Sequence, residues 1–175
     1  MIDRIRRGFR DHEVNLVLAR GSSLAALTAG LRAQRREPLS LGETDGWAWG
    51  VHEMVTAETD GQEVDYRRIC ADGSELVVFV TEPCSVKAHA PRVMYFRDGR
   101  CILTFSLEDI EQRAGDNPDH LSPELLAAGL IGPDAYCDED EADDGHDCFD
   151  HCADDRARIV QVVVDFFGLP EVVAP

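Results

Sequence analysis

The sequence predicts an α+β fold: a single domain with about five strands in a mostly antiparallel sheet and helices packed on one side. Three observations carry this expectation. Short β-rich runs recur along the first hundred residues, an Asp-Gly pair (Asp98-Gly99) joins two of them, and the helical stretches are bounded by capping residues. A chain of 175 residues suits one domain over 1–175 and is long enough to bury a core without disulfides or metal.

The elements follow in order. Val14 to Leu18 is an apolar run flanked by charge and reads as a strand. Gly21-Ser22-Ser23 opens a helix with a serine N-cap, and Leu24, Leu27 and Leu31 share one face. Arg32, Arg35 and Arg36 lie near its C-terminus, where cations suit the helix dipole, and Glu37-Pro38 ends it. Residues from Gly42 to Gly46 read as a turn. Trp47 to Met54 is a strand with Trp47, Trp49 and Val51 on one face and Ala48, Gly50, His52 and Met54 on the other. A polar stretch over 56–65 carries the turn signal Asp60-Gly61.

Leu76 to Val80, Pro91 to Phe96 and Cys101 to Phe105 are three further strands, the last two forming a hairpin about Asp98-Gly99. Ser106 opens a short helix closed by Gly115, and Ser122-Pro123-Glu124 opens another, stopped by Gly129. A last helix is capped by Asp154 or Asp155 and runs through Phe167, with Gly168 as C′ and Pro170 beyond. Its β-branched run Ile159 to Val164 also fits a strand, but the caps favour helix.

Several of these features together are similar to a family of small actinobacterial proteins known only as a domain of unknown function. They are the Arg20-Gly21-Ser22 joint, the Gly46-Trp47 strand ending in Glu53, the turn Tyr95 to Gly99, the stretch Arg113 to Leu121 and the closing Phe167 to Leu169. The resemblance spans roughly 14–169. It implies no activity and no catalytic residues.

Charge is unevenly spread. The net charge is −17, with residues 1–36 at +5 (eight Arg, three acids) and 37–175 at −22 (nine basic residues, 31 acids). So acidic a chain repels nucleic-acid phosphates and attracts basic surfaces, so the expected partner is a basic protein and not DNA or RNA. The basic N-terminal segment 1–13 either meets an acidic partner or folds back on the acidic body. No apolar run reaches the ~20 residues that span a bilayer, and no secretory signal is visible, so no membrane partner and a cytoplasmic location are expected. Reduced thiols follow from that location.

The densest chemistry lies in an acidic loop over 134–155. Residues 137–152 hold three of the six cysteines, two of the six histidines, eight carboxylates and no basic side chain. Cys137, Cys148, His151 and Cys152, with His146 in reserve, supply the ligand types of a tetrahedral zinc site, and Cys148 and Cys152 stand one helical turn apart. The spacing is not that of a standard zinc knuckle. A disulfide and a solvated loop remain open beside zinc, whereas an EF-hand fails because its third and twelfth positions would be Ala142 and His151.

Elsewhere the residues admit blander roles. Cys70, Cys84 and Cys101 suit core packing, with a Cys84–His89 thiol dyad as the sharper alternative. His52 and Glu53 point to opposite strand faces and cannot act together. Asp116, Asp119 and His120 are ligand types for a metal but are as common in caps and turns, and Trp47 and Trp49 fit a core better than a base-stacking platform. Two readings of function survive: a non-enzymatic acidic binding protein of immunity, inhibitor or accessory type, and a zinc- or thiol-dependent enzyme or accessory protein of a biosynthetic pathway.

Overall fold

A computed structural model describes residues 1–55, 62–71, 73–82, 90–135 and 148–172, the side chains of 134 and 148–154 excepted. The chain runs α1 (Ile2–Gly8), β1 (Val14–Arg20), α2 (Leu24–Ala33), β2 (Pro38–Thr44), β3 (Trp47–Glu53), a 3₁₀ turn (Tyr66–Arg68), β4 (Glu75–Val80), β5 (Arg92–Arg97), β6 (Arg100–Ser106), α3 (Ser122–Ala127), a second 3₁₀ turn (Pro133–Ala135) and α4 (Cys148–Phe167). The strands form one six-stranded antiparallel sheet in the order β2-β3-β1-β4-β5-β6. The α+β class and the β5–β6 hairpin are as the sequence predicts. Asp98 and Gly99 both take positive φ, 51° and 70°, the backbone a tight hairpin of this twist requires.

The sixth strand is β2, where the sequence reads as a turn. Asp45 and Gly46 are themselves a hairpin pair, at φ 53° and 80°, and join β2 to β3. Pro38 and a bulge between Pro38 and Ser40 confine β2 to the sheet edge, where proline is tolerated. Gly42 lies under the Trp49 ring, and a Cβ there would stand 2.4 Å from the indole. Gly42→Val is therefore expected to cost roughly 1–3 kcal/mol by overpacking, read as a lower urea midpoint, with Trp49 fluorescence shifted because the ring is displaced.

Helices cover both faces of the sheet rather than one. Trp47, Trp49 and Val51 pack with α1, α3 and α4 through Ile2, Ile5, Leu125, Ile159, Val163 and Phe167. Ala48, Val17, Ala19 and Val78 pack on the opposite face against Leu27 and Leu31 of α2 and against Tyr66 and Ile69. The reason is in β1 and β4: their runs are apolar at successive positions and bury both faces, so both faces need a cover.

Local signals hold where tertiary contacts agree with them. Ser23 caps α2, its side chain accepting from the Ala26 N–H at 3.1 Å. Gly168, at φ 60°, ends α4, with Leu169 N–H donating to Val164 C=O and Gly168 N–H to Asp165 C=O, the paired bonds of a Schellman motif. They fail where pairing wins. The helix expected from Ser106 to Gly115 does not form. That segment turns back along β6, where Ala114 exchanges both backbone bonds with Thr104, and Asp116 and Asn117 donate to Cys101 and Ile102. The segment 1–13 contains α1, whose Ile2 and Ile5, with Phe9 beyond, are buried. α4 starts at Cys148, ahead of the expected cap at Asp154 or Asp155, so the last part of the predicted loop is helix. No proline or glycine interrupts 148–167.

Candidate functional site

The metal candidates divide. Cys137 and His146 lie outside the described residues, as do Cys84 and His89. Cys148, His151 and Cys152 fall in the first turns of α4, where the backbone alone is described. Among the described residues no group of three His, Cys, Asp or Glu is disposed to hold a metal ion.

The two described cysteines are packed. Cys70 is buried, with Sγ within 3.4 Å of the Ser74 carbonyl and 3.7 Å of the Ser74 hydroxyl. Cys101 is half-buried on β6, and burial raises its pKa, the opposite of an activated thiol. Trp47 and Trp49 are core residues, 2 % and 8 % exposed, and neither ring is free to stack on a base.

A polar network sits at one end of the α2 face. Asn15 and His52 are cross-strand partners on β1 and β3, and Tyr66 reaches them from the 3₁₀ turn. His52 Nδ1 lies 2.7 Å from the Glu53 carbonyl, which only accepts, so Nδ1 carries the proton. Nε2 then accepts from the Tyr66 hydroxyl at 3.0 Å, and the Tyr66 oxygen accepts from Asn15 Nδ2 at 2.8 Å. Each bond fixes the direction of the next, and every group in the chain is neutral. Burial pushes His52 down to about 4 and Tyr66 upward, holding both neutral near pH 7. Glu53 points the other way and binds His12 at 2.7 Å, so the adjacent His52 and Glu53 do not act as a pair.

Arg36 is the charged neighbour of this network. It is 1 % exposed, and its guanidinium donates to the backbone carbonyls of Gln34, Met54 and Gln62. It thereby ties the end of α2 to the end of β3 and to the segment leading into Tyr66. The sequence marks Arg36 only as one of three arginines at a helix end. Asn15 carried a better signal, a polar side chain inside an otherwise apolar strand.

A second cluster occupies the opposite end of the sheet. Glu75 accepts from Arg20 through both oxygens at 3.1 Å and from the Tyr95 hydroxyl at 2.9 Å, with Arg97 at 3.7 Å. Arg20 also lies over the Trp47 ring, 4.7 Å from its centroid. His120 stacks on Tyr95 at 5.1 Å and meets Phe166 edge-on at 5.3 Å. Asp116 and Asp119 are engaged apart from it, by Arg100 at 2.8 Å and by Ser122 at 2.9 Å. The trio therefore anchors the 116–122 segment over the sheet end and does not converge on a shared point.

The hollow between α1 and α4, about 410 Å³, is bordered by Ile2, Val160, Val164 and Leu169 and crossed by an Arg4–Glu171 ion pair. Among the described residues no cysteine or histidine lines it. Comparison of the chain with family models, with curated proteins and with solved structures finds no match. No helix among the described residues is long and apolar enough to cross a membrane.

Proposed function

We propose that the chain is a non-enzymatic acidic binding protein, of immunity, inhibitor or accessory type, that docks a basic protein surface in a reducing cytoplasm and does not bind DNA or RNA. The observation that supports this is the disposition of charge. Among the described residues at least eleven of the sixteen arginines pair with the chain's own carboxylates, Arg4 with Glu171 and Arg6 with Glu82 included. The basic N-terminal segment thus folds back on the acidic body, and the chain as a whole keeps a net charge of −17. Exposed pairs of this kind contribute only ~0–1 kcal/mol each to stability. A field of this size instead raises encounter rates with a cationic surface by about 10–1,000-fold. Asn15, His52 and Tyr66 are buried, neutral and bonded to one another, so none of them serves as an exposed base or nucleophile. The test is affinity capture at low and high ionic strength. A basic protein retained at low salt and released at high salt is expected; equal retention at both would overturn the reading.

A second reading, a zinc-dependent enzyme or accessory protein, is favoured by one finding: α4 begins at Cys148, so Cys148 and Cys152 stand four residues apart on a helix. Cys137, Cys148, His151 and Cys152 then hold one zinc, with His146 as the reserve ligand. Metal analysis of protein purified without chelator is expected to give close to one zinc per chain, lost when the cysteines are changed to Ser. A stoichiometry near zero, with no loss of stability on chelation, overturns it.

A further inference from the structure

We infer that the β2 edge of the sheet, with the adjoining face of α2, is the surface on which a second copy of this chain pairs, β2 against β2 across a two-fold axis. The two edges of the sheet are treated differently. At the β6 edge the unpaired backbone groups are taken up by the returning segment, through Ala114, Asp116 and Asn117. At the other edge β2 pairs with β3 alone, and among the described residues no segment covers its outer side. An edge strand left in this state presents a row of N–H and C=O groups to another strand.

The surroundings favour an ordered contact there. Leu39 and Leu41, 38 % and 36 % exposed, are two of the four large hydrophobic residues exposed among the described residues. Leu41 borders a shallow apolar groove with Leu24, Ala25, Thr28, Ala29 and Arg32 of α2. Ala25 and Ala29 are exposed and small, which lets a second helix approach closely. The groove is held in place from beneath: Glu43 of β2 accepts from the Leu24 N–H at 2.9 Å, so strand and helix form one unit.

Charge selects the occupant. Two chains of −17 repel each other over most of their surface. α2 contains no acid, and its Arg32 is neutralised by Glu37 at 2.9 Å. Residues 21–46, which include all of α2 and β2, carry three arginines against Glu37, Glu43 and Asp45, so this surface has no net charge in a chain of −17. A basic partner gains little at it, whereas two copies meeting here face no net like charge across the axis. Pro38 and the bulge beside it restrict pairing to the stretch from Ser40 to Thr44. The pairing is isologous, so it consumes the open edge of both copies, and the covered β6 edge stops further growth at the dimer.

Light scattering coupled to gel filtration, over a range of concentration and salt, tests this. The wild-type chain is expected at twice 19.4 kDa. Added salt is expected to preserve or tighten the dimer, because it screens the repulsion between the acidic bodies. This is opposite in sign to the salt response expected for the basic partner, so the two proposals fail separately. Leu41→Arg and Ala29→Arg each place like charges across the axis and are expected to weaken pairing at least about tenfold. Both positions are exposed, so the thermal midpoint of the monomer serves as the folding control. A wild-type mass of 19.4 kDa under all conditions overturns the inference. So does a doubled mass that both variants leave intact, or a dimer that dissociates as salt rises. A monomer that binds a different protein through this edge, with binding lost in both variants, assigns the surface to that partner and overturns it too.

Discussion

Replacing Arg36 by alanine is expected to lower the unfolding free energy by about 3 kcal/mol or more. The side chain is among the largest that are fully buried, and it is the donor for the carbonyls of Met54 and Gln62. Its removal leaves a cavity and, among the described contacts, strips those acceptors of a charged donor. Arg36→Lys keeps the charge but not the planar fork that reaches several carbonyls, so an intermediate loss is expected. Arg36→Met fills most of the volume without any donor and should resemble alanine more than lysine. Urea unfolding measures all three. A loss below about 1 kcal/mol for alanine would mean that the carbonyls find other donors and that Arg36 does not pin the α2–β3 corner.

The second large effect is acid sensitivity. His52 is held at about 4 against its ordinary 6.5, because burial penalises the imidazolium. Above pH 6.5 the ring is neutral in both folded and unfolded chains, and its contribution to stability is full. As pH falls below 6.5 the unfolded chain takes up a proton that the folded chain refuses, so stability drops, and the loss is complete near pH 4. The total is roughly 3 kcal/mol at 1.36 kcal/mol per pH unit. His120, also lowered by burial, contributes in the same direction. The informative quantity is therefore the difference between the wild type and His52→Gln. The variant is expected to be less stable at neutral pH, with the gap closing as pH falls toward 4. A gap independent of pH would contradict the neutral Asn15–Tyr66–His52–Glu53 chain.

How much was legible in the sequence depended on whether one rule or several competed. The Asp98-Gly99 hairpin was plain because turn chemistry and flanking β-rich runs agreed. The same pair at Asp45-Gly46 marked β2–β3, but Pro38 and Gly42 inside β2 argued against a strand, and only the Trp49 ring over Gly42 shows why a glycine sits there. α1 was hidden by its arginines, although Ile2, Ile5 and Phe9 recur at helical spacing. Alternation on β3 assigned its two faces correctly. The continuous apolar runs of β1 and β4 also implied that both faces of the sheet need helices, a consequence of the pattern that the one-sided expectation missed.

The candidate site was less legible for a physical reason. The acidic stretch announces ligand types and charge, which are local properties. The polar network joins Asn15, His52 and Tyr66 from three separate elements: the sheet register pairs Asn15 with His52, and the 3₁₀ turn brings Tyr66 to them, with Arg36 beside it from the α2–β2 connection. His52 and Tyr66 are unremarkable singly, and neither carries a spacing signal.

Under the proposed function the chain acts through its surface charge, and its half-buried reactive groups serve the fold. Comparative capture of the partner at low ionic strength tests it most directly. In one variant Asp138, Glu139, Asp140, Glu141, Asp143 and Asp144 are changed to their amides, with every cysteine and histidine retained. In the other, Cys101→Ser and His120→Gln remove the half-buried thiol and imidazole. The amide variant is expected to lose the partner, and the Cys101/His120 variant, shown to be folded, to keep it. Retention by the amide variant together with loss in the other would overturn the proposed function and place the chain's function in the chemistry of those groups.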